Sequence, residues 1–184
     1  MVALNPPVCD FGQAACHFDL PGTDGRRHTL ASCRGANGLL VMFICNHCPY
    51  VKAIIDRLIR DCRELASHGI GCVAIMSNNV ADYPEDSPER MRQWAAELAF
   101  PFPYLYDEDQ SVARAYGAVC TPDFFGYNAD LQLQYRGRLD ASGRSPAAPD
   151  AARELFSAMV AIAASGRGPA EQIASIGCSI KWKE

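Results

Sequence analysis

The sequence predicts an α/β fold of three layers, with helices packed on both faces of one sheet. Three observations predict it. Two continuous apolar runs, LLVMFI at 39–44 and IGCVAIM at 70–76, read as strands buried on both faces, as in a parallel sheet. Between them, Val51, Ile54, Ile55, Leu58, Cys62, Leu65 and Ala66 recur at helical spacing. Further on, Leu131, Leu133 and Tyr135 alternate with Gln132, Gln134 and Arg136, the period of two of an antiparallel hairpin.

The elements follow in chain order. The stretch to about residue 38 is rich in Gly, Pro and Asp. It carries strand-like pieces at 17–20 and 28–30 and reads as a strand-and-turn lead-in, an N-terminal extension of the fold. Strand 39–44, the helix closed by Gly69 and strand 70–76 make a right-handed crossover unit. A polar loop, NNVADYPEDSPER, leads to an inserted helix through about Ala99. Ser87 caps it, Pro88 takes its first position, and Glu89 lies near its positive end. Its buried stripe is Met91, Trp94, Ala95 and Leu98. A short strand at 104–106 and a short helix at 111–116, ended by Gly117, come next. Strands at 124–127 and 131–139 flank an Asn128-Ala129-Asp130 turn. Asp150 is the expected cap of a last helix that turns Ala152, Leu155, Phe156, Met159 and Ile162 inward and stops near Gly166. The whole chain, 1–184, reads as one domain, with 165–184 a C-terminal tail packing on it.

A net charge of −4 and the absence of a large basic patch argue against a nucleic acid or an anionic membrane as partner. The first residues show no secretory signal, and no apolar run approaches the length of a membrane span. A cytoplasmic location is the expectation. Nine cysteines stand at 9, 16, 33, 45, 48, 62, 72, 120 and 178. An odd number cannot all pair within one chain, and in a reducing compartment most are expected as free thiols.

Cys45 and Cys48 lie where strand 39–44 hands over to the helix, in FICNHCPYV. A helix opening at Cys45 would aim unpaired N–H groups and the positive end of its dipole at that thiol. Cysteines in such Cys-X-X-Cys contexts titrate at roughly 3.5–7.5 instead of about 8.5. His47 would push the same way, and Pro49 is tolerated in a first turn. Residues three apart on a helix share a face, within reach of a disulfide. On this reading Cys45 attacks a partner's sulfur and Cys48 resolves the mixed disulfide. A lone Cys-X-X-Cys is also half of a zinc site, with Cys120 or Cys178 available to complete it. Thr121-Pro122, before a strand, is a candidate cis peptide; the alternative is an ordinary trans turn.

Strand, CNHCPYV, helix, then CTPDFF and a hairpin together resemble the thioredoxin-like superfamily. They are more closely similar to its redoxin branch, the alkyl hydroperoxide reductase/thiol-specific antioxidant (AhpC/TSA) proteins. Within that branch the chain looks like a bacterial group sharing CNHCPYV (45–51), YPEDS (83–87), FPYLYD (102–107), AYGA-C-TPDFF (115–125), YRGR-D (135–140) and GCSIKWK (177–183). The resemblance implies a thiol–disulfide oxidoreductase with redox-active cysteines and no cofactor. Its substrates would be protein or low-molecular-weight disulfides and thiols, served by an unknown electron donor. It implies that Pro122 faces the dithiol, that Asn46 and His47 tune it, and that Thr121 offers backbone to an extended partner. Cys120 and Cys178 become candidates for additional redox thiols, with a buried inert thiol as the alternative for each.

The departures are specific. Ile44 stands where thioredoxins carry Trp, and Asn46-His47 replaces Gly-Pro. The strand before the dithiol supplies no buried carboxylate to deprotonate the second thiol. The Cys-x-His-Cys order is like that of strongly oxidising dithiol oxidases, which implies a potential above thioredoxin's. Peroxiredoxin-like peroxidase activity is an alternative, but the Pro-x-x-x-Thr-x-x-Cys pattern is missing before Cys45. A copper- or zinc-binding role is another, since thiolates suit both metals. His17, His28 and His68, and Cys9, Cys16, Cys33, Cys62 and Cys72, carry structural readings only.

Overall fold

The computed structural model describes residues 2–184. Strand β1 (Ala3–Leu4) precedes a hairpin of β2 (Asp19–Pro21) and β3 (Arg27–Thr29) and a one-turn helix, α1 (Leu30–Cys33). The crossover unit is β4 (Gly38–Phe43), α2 (Pro49–Ser67) and β5 (Ile70–Met76). A 3-10 turn at Pro84–Asp86 and helix α3 (Pro88–Glu97) lead to β6 (Tyr104–Tyr106) and α4 (Ser111–Tyr116). Then come β7 (Cys120–Thr121), β8 (Asp123–Asn128), β9 (Leu133–Tyr135), α5 (Glu154–Ser165) and β10 (Gly177–Ser179).

The main sheet has the order β6-β5-β4-β8-β9. β4 lies at its centre, parallel to β5 and antiparallel to β8. Every residue of β4 is buried, and the strand's period of two divides the core. Leu40 and Met42 face α2 and α5, packing on Val51, Leu58 and Met159. Leu39, Val41 and Phe43 face the other way, against Phe18, Leu30 and Tyr116 from the lead-in and α4. Burying one such side chain stabilises the fold by about 1.5–3 kcal/mol. α2 ends where the chain turns left-handed at Gly69, φ 73°. Among the described residues no helix is long and apolar enough to cross a membrane.

Several expectations need correction. The lead-in strands lie slightly further on and slightly earlier than 17–20 and 28–30, paired so that Leu20 faces His28. The second hairpin strand is only Leu133–Tyr135, with a register shift between Gly126 and Tyr127. Arg136, which the alternation sets on the face opposite Leu131, Leu133 and Tyr135, turns inward. It is 7 % exposed and pairs with fully buried Asp123 at 3.1 Å. Asp150 does not cap the last helix, whose cap position is Arg153. The helix starts where its first turn is tied down. Leu155 N donates to the Leu139 carbonyl, Glu154 accepts from Arg138, and Arg153 reaches Asp61 on α2.

The tail folds back as β10 in a second, small sheet of order β1-β10-β7. Both pairings are antiparallel, with Cys178 opposite Ala3 on one side and opposite Thr121 on the other. Cys178 and Ile180 are buried there.

Candidate dithiol site

β4 and β8 bring the two parts of the site together. They run antiparallel with Phe43 opposite Asp123, so the loop leaving β4 lies beside the segment entering β8. The peptide bond Thr121-Pro122 in that segment is cis.

The helix opens one turn later than the sequence suggested. Pro49 is its first residue and Cys48 its N-cap, while Cys45 lies outside it. Proline is favoured at the first helical position, and the Cys48 carbonyl accepts the first intrahelical bond, from Lys52 N at 3.0 Å. The two cysteines therefore do not share a helix face. Cys48, not Cys45, sits at the positive end of the dipole.

Cys48 Sγ is 3.0 Å from the Thr121 carbonyl and 3.0 Å from Cys178 Sγ. Cys45 Sγ is 3.4 Å from the Thr121 hydroxyl and 3.9 Å from His47 Nδ1. The Cys48 thiol is drawn well below the ordinary value. The hydrogen bond from Cys45 is the main cause; burial opposes it, and bonds from Cys178, Thr121 and the Val51 N–H assist. The Cys45 thiol is pushed up by burial, by its bond to Cys48 and by the Asp86 charge. Burial and the Cys48 sulfur raise Cys178 to about 12. These shifts favour negative charge on Cys48 over Cys45 and Cys178; while it keeps its proton, the Cys48 thiol donates to the Thr121 carbonyl.

Asp86 is the residue that sequence reasoning missed. It is fully buried and accepts from the backbone N–H groups of Asn46 (2.8 Å) and His47 (3.2 Å), from His47 Nδ1 (2.6 Å) and from Asn78 Nδ2 (2.8 Å). Burial works to raise its pKa, but the bonds from His47 and Asn78 outweigh it and hold the carboxyl below the usual range. The Pro84–Asp86 turn thus puts a buried carboxylate beside the thiol loop, but it bonds to His47 and Asn78 and to neither sulfur, and its charge raises the Cys45 thiol. Its signal in the sequence was the YPEDS stretch, quoted above only as part of a resemblance. Asn46 completes the anchoring: its amide donates to the Glu85 carbonyl and accepts from the Tyr104 hydroxyl. The His47 ring stacks on Tyr83, and its Nε2 is buried without a partner.

The structure brings Cys45, Cys48, Asn46, His47, Thr121, Pro122 and Cys178 into one cluster. Cys120 is apart in its bonding: its thiol reaches the Pro122 carbonyl at 3.5 Å, and burial raises its pKa. All nine cysteines are free thiols. Cys45 and Cys48 are 1 % and 0 % exposed, and Cys178 of β10 lies directly against Cys48. The Thr121 backbone expected to serve an extended partner is already paired with Cys178. A groove of about 250 Å³ passes alongside, lined by Tyr50, Pro122, Ser175 and Ile176 among others. Cys45 Sγ, His47 Nδ1 and an Asp86 oxygen lie within 4.8 Å of one another, a spacing open to a metal ion. An ion there would have to displace the hydrogen bonds that Asp86 accepts.

The pattern of the AhpC/TSA family matches residues 11–141. The chain belongs to the AhpC/TSA family. Two solved structures resemble this redoxin over its whole length. One is an uncharacterized conserved protein from Geobacillus kaustophilus, 44 % identical, covering 100 % of this chain and 97 % of that one, TM-score 0.93. The other is a hypothetical protein from Sinorhizobium meliloti 1021, 37 % identical, covering 97 % and 98 %, TM-score 0.92. A secreted disulfide oxidoreductase from Mycobacterium tuberculosis is 18 % identical over 78 % of this chain and 94 % of that one. Its TM-score of 0.58 shows the shared thioredoxin-like fold. No curated relative matches the sequence.

Proposed function

We propose that this redoxin is a thiol–disulfide oxidoreductase acting at its Cys45/Cys48 site, in which Cys48, not Cys45, is the attacking thiol. One observation carries the reading. Cys48 is the N-cap residue of α2, at the positive end of the helix dipole, and its Sγ lies 3.0 Å from the carbonyl of Thr121, on the edge where a partner strand would pair. A thiolate there is the nucleophile that disulfide exchange needs. Its substrates would be protein or low-molecular-weight disulfides, with electrons from a thiol donor in a reducing compartment.

The test is exchange with oxidised glutathione. Cys48→Ser abolishes it, whereas Cys45→Ser retains the attack by Cys48 on glutathione disulfide. The opposite pattern returns the attacking role to Cys45. The peroxidase pattern is missing here too. Counted back from Cys48, Cys45 stands in the Thr position and Val41 in the Pro position. The Cys45, His47 and Asp86 cluster supports a second reading, a zinc or copper site. Elemental analysis of the purified protein tests it: stoichiometric metal, lost in Asp86→Asn, would support it.

A further inference from the structure

The tail carries a further reading, which rests on the dithiol chemistry proposed above. β10 pairs with the Cys120–Thr121 edge through Cys178 opposite Thr121 and Ser179 opposite Cys120. Ile180 N donates to the Val119 carbonyl and extends the pairing. A partner strand docking on Thr121 would need the backbone groups that β10 uses. The segment is anchored on both sides of Cys178. Ser175 Oγ donates to the Pro122 carbonyl, while Lys181 N donates to Asn78 Oδ1 and its carbonyl accepts from Gln110. Gly177 crosses so close to Thr121 that a side chain there would collide with the Thr121 carbonyl. This anchored strand delivers a sulfur 3.0 Å from Cys48 Sγ, about 1 Å beyond a disulfide bond of roughly 2.05 Å.

We propose that Cys178 is the thiol with which Cys48 forms its disulfide, and that β10 is a built-in stand-in for a substrate strand: it yields the Thr121 edge to an incoming disulfide and returns to resolve the product. The Cys48 thiolate attacks RS–SR, forming Cys48–S–S–R and releasing RS⁻, which takes a proton from water. Cys178 then attacks Cys48 Sγ. The Cys48–Cys178 bond forms, the bond to R breaks, and the proton of Cys178 goes to the second RS⁻. The two protein sulfurs are oxidised by two electrons, and RS–SR is reduced to two RSH. A dithiol donor returns the two electrons.

The experiment oxidises the full chain with oxidised glutathione and maps its disulfides by mass spectrometry without reduction. The expected linkage joins Cys48 to Cys178; it survives in Cys45→Ser and vanishes in Cys178→Ser. In Cys178→Ser, glutathione stays on Cys48 and turnover falls about tenfold or more, as expected when an intramolecular reaction is lost. Gly177→Val keeps every thiol yet forces the tail off the edge. It should speed alkylation of Cys48 by iodoacetamide about tenfold and reduce the Cys48–Cys178 linkage in proportion. A Cys45–Cys48 disulfide as the sole linkage, with Cys178→Ser at the wild-type rate, overturns this proposal and leaves the dithiol function standing. An unchanged alkylation rate in Gly177→Val overturns the covering role of the tail. Absence of any disulfide at Cys48 together with absence of exchange overturns both proposals.

Discussion

Replacing Asp86 with Asn tests whether one buried carboxylate holds the thiol loop. The carboxylate accepts four hydrogen bonds, two of them from the side chains of His47 and Asn78 at 2.6 and 2.8 Å. An amide keeps one oxygen, enough for the backbone N–H groups of Asn46 and His47. Its NH₂ then faces two other donors. Hydrogen bonds to a charged group contribute about 1.5–3 kcal/mol each, so losing two should cost about 3–5 kcal/mol, the range for breaking a buried ion pair. The assay is urea unfolding of the reduced protein. With a slope near 2 kcal/mol per molar, the midpoint should fall by about 2 M. The pH dependence supplies a second readout. Because folding lowers the Asp86 pKa, its contribution is complete above the unfolded value of about 3.9 and is lost as pH falls through the depressed folded value. The acid limb of wild-type stability should therefore flatten in Asp86→Asn. A variant within about 1 kcal/mol of wild type, with an unaltered acid limb, would refute the reasoning.

Two further outcomes are expected. In the reduced protein a thiolate absorbance near 240 nm should persist below the ordinary thiol value of about 8.5, and Cys48→Ser should remove it. If the low step survives in Cys48→Ser, the charge has been placed on the wrong sulfur. Arg136→Met leaves Asp123 buried without its partner and should cost about 3–5 kcal/mol in thermal or urea unfolding. A loss below about 1 kcal/mol would mean that Asp123 is already neutral in the fold.

The elements that place the site were legible where burial imposes a period. β5, β6 and α4 fall where the apolar runs and the closing Gly117 put them, and β4 lies within one residue of its run. The first residue of α2 was not legible. Proline in a first turn is compatible with a helix opening at either cysteine, and only three-dimensional packing chooses Pro49. Asp86 was hidden for another reason. Its partner Asn46 is 40 residues away in sequence, and an acidic residue in a polar loop reads as solvated until the fold closes around it. Arg136 misled by pattern: alternation set it on the face opposite Leu131, Leu133 and Tyr135, whereas a buried carboxylate recruits it inward. β10 has three residues and no alternation to detect, so its pairing with Thr121 follows from the tail's path across the molecule.

The antiparallel match of Phe43 with Asp123 makes the distance between the two halves of the dithiol cluster a matter of counting. The contacts of Cys45 and Cys48 with Thr121 then depend on how many rungs separate each half from the shared ladder. Slipping that ladder by a single rung would shift the proline-bearing segment by about 3.3 Å and send its side chains to the opposite face. Length changes far along β8 would thus misalign sulfurs they never meet, so natural insertions are to be sought in the loops, not in this strand.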